Sequence, residues 1–173
     1  DRLTAGVLVF TVHAGARRAY QSLFDARRVD KEYEAVARHV PGMRFPREVR
    51  SRIVKRRGCL QAVEEPGEPN AETVIERCGP VYRLTPRTGR THQLRVHCAA
   101  MGWPIVNDPI YGAGGREDVL HLHSRSITVP ISKNKEPVHC IAPVPDHMVE
   151  LLQVCGWTPD LEAECTKLQP SEP

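Results

Sequence analysis

Residues 86–112, PRTGRTHQLRVHCAAMGWPIVNDPIYG, restrict the fold of this chain more than any other stretch. They read as a strand end, a tight turn, a helix and a shaped loop. Thr88 and Gly89 make a turn after the alternating run VYRLTP, and the Thr91 hydroxyl is placed to cap a helix starting near it. Leu94, Cys98 and Met101 recur at helical spacing, and Gly102 is suited to end the helix. Arg95 lies beside this apolar stripe and three places after His92, so both project from one edge of the helix. An unpaired guanidinium near a core is costly. The pattern therefore predicts an acidic partner for Arg95 from elsewhere in the chain.

Around this segment the chain reads mostly as short strands. Residues 6–10, GVLVF, form an apolar, β-branched run expected to be a buried strand. Residues 14–27 place Tyr20, Leu23 and Phe24 at helical intervals, which predicts an amphipathic helix. Residues 31–38 alternate as a strand. RSRIVKRRGCLQAV predicts a hairpin turning near Arg57 and Gly58, with a basic first arm, and 71–77 and 81–85 are two further strands. Residues 119–131 alternate again, Lys133-Asn134-Lys135 supplies a turn, and 138–142 is the return strand. Asp146 opens a last helix reaching about Cys155.

Length and charge bound the rest. At 173 residues and 19.4 kDa, one domain is expected over 1–157, followed by an acidic, proline-containing tail over 158–173. The formal net charge is only +3, but residues 44–57 are basic while 64–72 are acidic, so charge argues for a local patch. The six cysteines show no C-x-x-C pair, which fits free thiols in a reducing compartment. No apolar run approaches the roughly 18 residues that span a bilayer, so no membrane partner is expected. A cytoplasmic location follows, or an organellar one if a targeting segment preceded residue 1.

Cofactor signatures are missing from the sequence. There is no phosphate-binding loop of the Walker type and no G-x-G-x-x-G, so no nucleotide cofactor is expected. His92 and His97 sit roughly 140° apart on a helix and share no face. His121 and His123 do share a strand face, but no cysteine or carboxylate is spaced to complete a metal site, so none is predicted.

Three segments resemble one family. TGRTHQLRVHCAAMGWPIVNDPIYG is similar to the signature of the RluA-type pseudouridine synthases, enzymes that isomerise uridine in RNA. DRLTAGVLVF, from Asp1 to Phe10, resembles their catalytic segment, HRLD followed by a Thr-Ser-Gly-type turn, with Ala5 in place of the usual Ser. KEYEA, from Lys31 to Ala35, resembles the segment bearing their active-site Tyr. Order and spacing agree over roughly residues 1–145, and the chain is expected to open inside the first motif. The resemblance implies an α+β fold with a mixed, largely antiparallel sheet and flanking helices, its N-terminal part missing. It implies a catalytic set of Asp1, Tyr33 and Arg95, no cofactor, and a monomer acting on rRNA or tRNA.

The chemistry explains why these residue types belong together. Pseudouridine formation breaks the C1′–N1 bond, turns the uracil, and joins C5 to the sugar, with no redox change. An ionised Asp1 can attack C1′, attack C6, or assist elimination, and the sequence leaves the three open. Arg95 would favour the charged carboxylate and hold its geometry. The target base must leave its stack, and the Tyr33 ring would pack against it. Arg90, Thr91, His92 and Gln93 would grip the flanking backbone, with Arg50, Arg52, Lys55 and Arg56 of the basic arm as further RNA contacts. The alternative is an RNA-binding module of the same fold without chemistry, with a metal-dependent RNA hydrolase a distant third.

Overall fold

The alternating runs of the sequence become one sheet. The computed structural model describes residues 1–79, 81–115, 118–131, 134–154 and Gly156. In chain order the strands are β1 (Ala5–Gly6), β2 (Asp30–Ala35), β3 (Arg47–Lys55), β4 (Ala62–Glu65), β5 (Ala71–Cys78), β6 (Val81–Pro86), β7 (Leu122–Val129) and β8 (Val138–Ile141). The helices are α1 (Arg17–Asp25), entered through a 3-10 turn at Ala14–Ala16, α2 (Gln93–Ala100) and α3 (Asp146–Val154). The sheet order is β1-β7-β2-β6-β5-β3-β4, with β8 also paired to β7. Every pairing is antiparallel except β1 with β7, which is the mixed, largely antiparallel α+β architecture that the resemblance implies. Among the described residues no helix is long and apolar enough to cross a membrane.

Helix α2 packs across β6, β5, β3 and β4 of this sheet and so carries Arg95 to it. Leu94 and Cys98 of α2 meet Ala35, Ile75, Leu84 and Leu122 from four strands, and Trp103 and Ile105 extend the cluster. Trp103 stacks on Tyr82 with ring centroids 4.6 Å apart, a geometry aromatic pairs favour. Alternation along β6 sends Tyr82 and Leu84 to this cluster and the neighbouring Val81 to another, where Met148 and Leu152 of α3 are buried. Gly102, at φ +83°, ends α2 as its position predicts.

Several expectations are corrected. The run 6–10 is not a buried strand: only Ala5–Gly6 pair, and Leu8 and Phe10 are 73% and 78% exposed. The reason lies in β7, whose edge beyond Ser124 is taken by β8 from Ser126 onward, so after the Val7 N–H, which donates to the Ser124 carbonyl oxygen at 2.9 Å, the segment has no ladder to join. Thr91 does not cap α2. The helix starts at Gln93 behind His92, which sits in the left-handed region at φ 55° and makes no side-chain cap. Cys78 is disulfide-bonded, where the cysteine spacing predicts free thiols, while Cys59, Cys98 and Cys140 are free. Lys133, Cys155 and the tail 158–173 lie outside the described residues.

Candidate active site

Asp1 is brought to α2 by the way its own segment is pinned. Its Oδ1 accepts the Leu3 N–H at 3.1 Å, closing a turn that leads into β1. Gly6 then lies so close to β7 that a Cβ there would stand 2.2 Å from the Ser124 carbonyl oxygen, and its φ is +104°. Only glycine lets the strand approach this far. From this position Oδ2 of Asp1 receives Nη1 of Arg95 at 3.0 Å. The guanidinium-to-carboxylate contact that the sequence predicts is thus present.

Arg95 is 1% exposed and holds a second carboxylate that is wholly buried, Asp108. Its Nε and Nη2 reach Oδ2 and Oδ1 of Asp108 at 2.8 and 2.7 Å, a two-point grip of short, charge-assisted bonds. Oδ1 also accepts the N–H groups of Ile110 and Tyr111 at 2.9 and 3.0 Å. Burial pushes the Asp108 carboxyl up, but the Arg95 hydrogen bonds and these two N–H groups outweigh it, and the net shift is below the ordinary aspartate value. The Tyr111 ring packs on the same guanidinium, 5.2 Å from Cζ to its centroid. Its hydroxyl accepts the Ala62 N–H at 2.8 Å and is hydrogen-bonded to Nδ1 of His92 at 2.9 Å. Burial, then the Arg95 and Lys55 cations, hold His92 below the ordinary histidine value.

A cleft of about 450 Å³ opens over this cluster, lined by Asp1, Lys31, Tyr33, Arg90, His92 and Arg95 among others. Tyr33 comes from β2, where the register shifts between Glu32 and Tyr33. The three residues expected to be catalytic therefore share one cavity. Among the described residues no group of three or more His, Cys, Asp or Glu is placed to hold a metal ion. His121 and His123 have separate partners, the Val119 carbonyl and Glu34.

One family model, RNA pseudouridylate synthase, matches residues 1–100. The chain belongs to the RNA pseudouridylate synthase family. It is 36% identical over 192 residues to RNA pseudouridylate synthase domain-containing protein 1 of Bos taurus, covering 98% of this chain and 58% of that protein. It is 32% identical over 178 residues to ribosomal large subunit pseudouridine synthase D of Vibrio vulnificus, covering 88% of this chain and 53% of that one. Among solved structures, human RNA pseudouridylate synthase domain containing 1 superposes with a TM-score of 0.67 at 25% identity, over 94% of this chain and 75% of that chain. The chain spans little more than half the length of these two curated relatives.

The residues expected to bind RNA divide into three groups. Arg90, Thr91 and His92 line the cleft. Gln93 touches its wall, but its amide is turned inward and is 4% exposed. Its Oε1 accepts the Thr88 hydroxyl at 2.7 Å and the Arg90 N–H at 3.0 Å, while Nε2 donates to the Glu72 carbonyl and the Thr73 hydroxyl. Gln93 is thus a structural tie inside this synthase-family fold and has no free donor for RNA, a correction that follows from the late helix start. Arg50, Arg52, Lys55 and Arg56 stand outside the cleft on β3 and its turn. Arg50 pairs with Glu48 of its own strand and with Glu72, and Arg56 pairs with Glu65 at 2.5 Å, so β5 and β4 add carboxylates to the one that the linear run contains.

Sequence reasoning missed Asp108 and Tyr111. Both lay in the segment 86–112, and the demand for an acid beside Arg95 was the available signal. Asp1 by itself satisfies that demand at the level of sequence, and nothing local marks Asp108 as a second partner.

Proposed function

We propose that this chain carries the reaction centre of an enzyme that converts a uridine in RNA to pseudouridine. The observation that carries the reading is the Asp1 carboxylate, held at 3.0 Å by a fully buried guanidinium and facing a cleft it shares with Tyr33. Such a carboxylate is fixed in place and charge-stabilised without being covered. The net reaction breaks C1′–N1 and makes C1′–C5, with the C5 proton lost and a proton gained at N1. Asp1 provides the carboxylate for attack on C1′, on C6, or for assisted elimination; the Tyr33 ring receives the extruded uracil, and its hydroxyl is available for proton transfer. Ribosomal RNA is the favoured substrate over transfer RNA, because a bacterial relative is named for the large ribosomal subunit.

The test is release of tritium from RNA labelled at uridine C5. Asp1→Asn removes the charge with little change of volume, so it is expected to abolish release while RNA affinity stays within about threefold, a shift near RT in energy. Residual release within tenfold of the parent overturns the role of Asp1, and RNA binding with no release by the parent leaves the RNA-binding module without chemistry.

A further inference from the structure

Lys31 is a half-buried cation in the cleft and, among the described residues, has no anion of its own. It stands on β2, two places before Tyr33 and opposite Ile127 of β7. Its ammonium donates to the Thr88 carbonyl oxygen at 3.3 Å, which uses one of three N–H groups. Among the described residues no carboxylate lies within ion-pair distance of it. The acids nearby are committed elsewhere: Asp1 and Asp108 to Arg95, Glu72 to Arg50 and Arg87, Glu32 to Arg83. Burial holds the Lys31 amine below the ordinary lysine value, and only Asp30, too far for an ion pair, pulls the other way. A charge in such a place is costly until an anion arrives.

RNA brings that anion. With a ribose C1′ at Asp1, the phosphates on the same ribose must leave the cleft along its walls, and Lys31 forms part of the wall on the Thr88 side. We infer that Lys31 is a binding residue that receives a backbone phosphate of the extruded nucleotide, a contact that rests on the proposed uridine chemistry for the identity of its ligand. Uracil itself is neutral and cannot supply the missing charge. Thr88 connects this contact to the fold, because its hydroxyl is tied to Gln93 and its carbonyl orients the ammonium. The phosphate and the Asp1–Arg95 pair are then registered against the same loop.

The experiment measures equilibrium binding of a stem-loop RNA with an all-uridine loop, made either with natural phosphates or with neutral methylphosphonates through the loop. Lys31→Met is expected to weaken binding of the natural RNA roughly tenfold, the scale of one hydrogen bond to a charged group, and to lower the salt slope by about 0.7. Lys31→Arg restores most of the affinity. On the neutral-loop RNA, parent and Lys31→Met bind equally. Equal loss on both RNAs assigns Lys31 to the base or to folding and overturns the inference, as does no loss on either. If the parent shows this charge dependence but releases no tritium from C5, the phosphate contact stands and the isomerase reading falls.

Discussion

Asp108 occupies Nε and Nη2 of the Arg95 guanidinium and leaves Nη1 for Asp1. The buried acid therefore sets the angle at which the cleft acid is held. An ammonium cannot reproduce this division, since it offers a point charge and no planar fork. Arg95→Lys is expected to lower turnover at least a hundredfold while retaining the fold. Arg95→Ala strands Asp108 and should cost about 3 kcal/mol or more in urea unfolding, the range for breaking a buried pair. Near-parental turnover in Arg95→Lys would show that the geometry of the grip is unimportant.

Buried histidines and Asp108 together set the direction of the pH response. His92, His97 and His121 are all held below the ordinary histidine value, first by burial. A group whose folded pKa is lowered binds fewer protons folded than unfolded, so stability is complete above the unfolded value of about 6.5 and declines as pH falls toward the folded one. Asp108 is also lowered, and its contribution is complete above about 3.9 and lost as pH falls through its folded value. Urea midpoints should thus drop in two stages on acidification. His97→Gln is expected to shrink the first stage and Asp108→Asn the second. Glu32, raised by burial, acts in the opposite sense, so the check is the difference between parent and variant: a first stage that is unchanged in His97→Gln contradicts the assigned direction.

What was legible in the sequence was whatever local rules decide. The hairpins of β3 with β4 and of β7 with β8 came from alternation and turn residues, and the Arg95 acid came from the cost of an unpaired charge together with the motif at Asp1. What failed depends on partners distant in sequence. Residues 7–10 have strand composition, yet β8 occupies the edge they need, and no local pattern reports that competition. The inward turn of the Gln93 amide, which removes it from the expected RNA contacts, follows from the left-handed turn at His92, and that turn leaves no mark in a sequence without glycine there. The basic arm is partly neutralised by Glu65 and Glu72, which reach it from other strands and do not show in its linear run.

Tyr33 separates packing from chemistry. It lies against the main core cluster and also lines the cleft. Tyr33→Phe keeps the ring, so RNA affinity and thermal stability are expected to match the parent while tritium release falls by about two orders of magnitude, the scale of one general acid–base contribution. Tyr33→Ala should lower affinity and release together. Equal, mild effects of both changes would mean that the ring only packs.

Gln93 and Arg90 are adjacent to one another through a hydrogen bond but should respond to mutation in opposite ways. Gln93 Oε1 accepts the Arg90 N–H at 3.0 Å, and the rest of its amide is used on Thr88, Thr73 and the Glu72 carbonyl. Gln93→Ala leaves these buried groups unsatisfied, which costs about 1–3 kcal/mol for such a group. It also frees the loop at residues 88–90 that walls the cleft, so turnover should fall, yet it removes no charge, so the salt slope of RNA binding should not change. Arg90 is exposed, and among the described residues its side chain is engaged through Nε, with the Asn70 carbonyl. Arg90→Ala is therefore expected to leave the urea midpoint near the parent's and to lower the salt slope by about 0.7–0.9 per lost phosphate contact. The reverse result, a lowered slope in Gln93→Ala with stability intact, would return Gln93 to the RNA surface and undo the buried tie assigned to it.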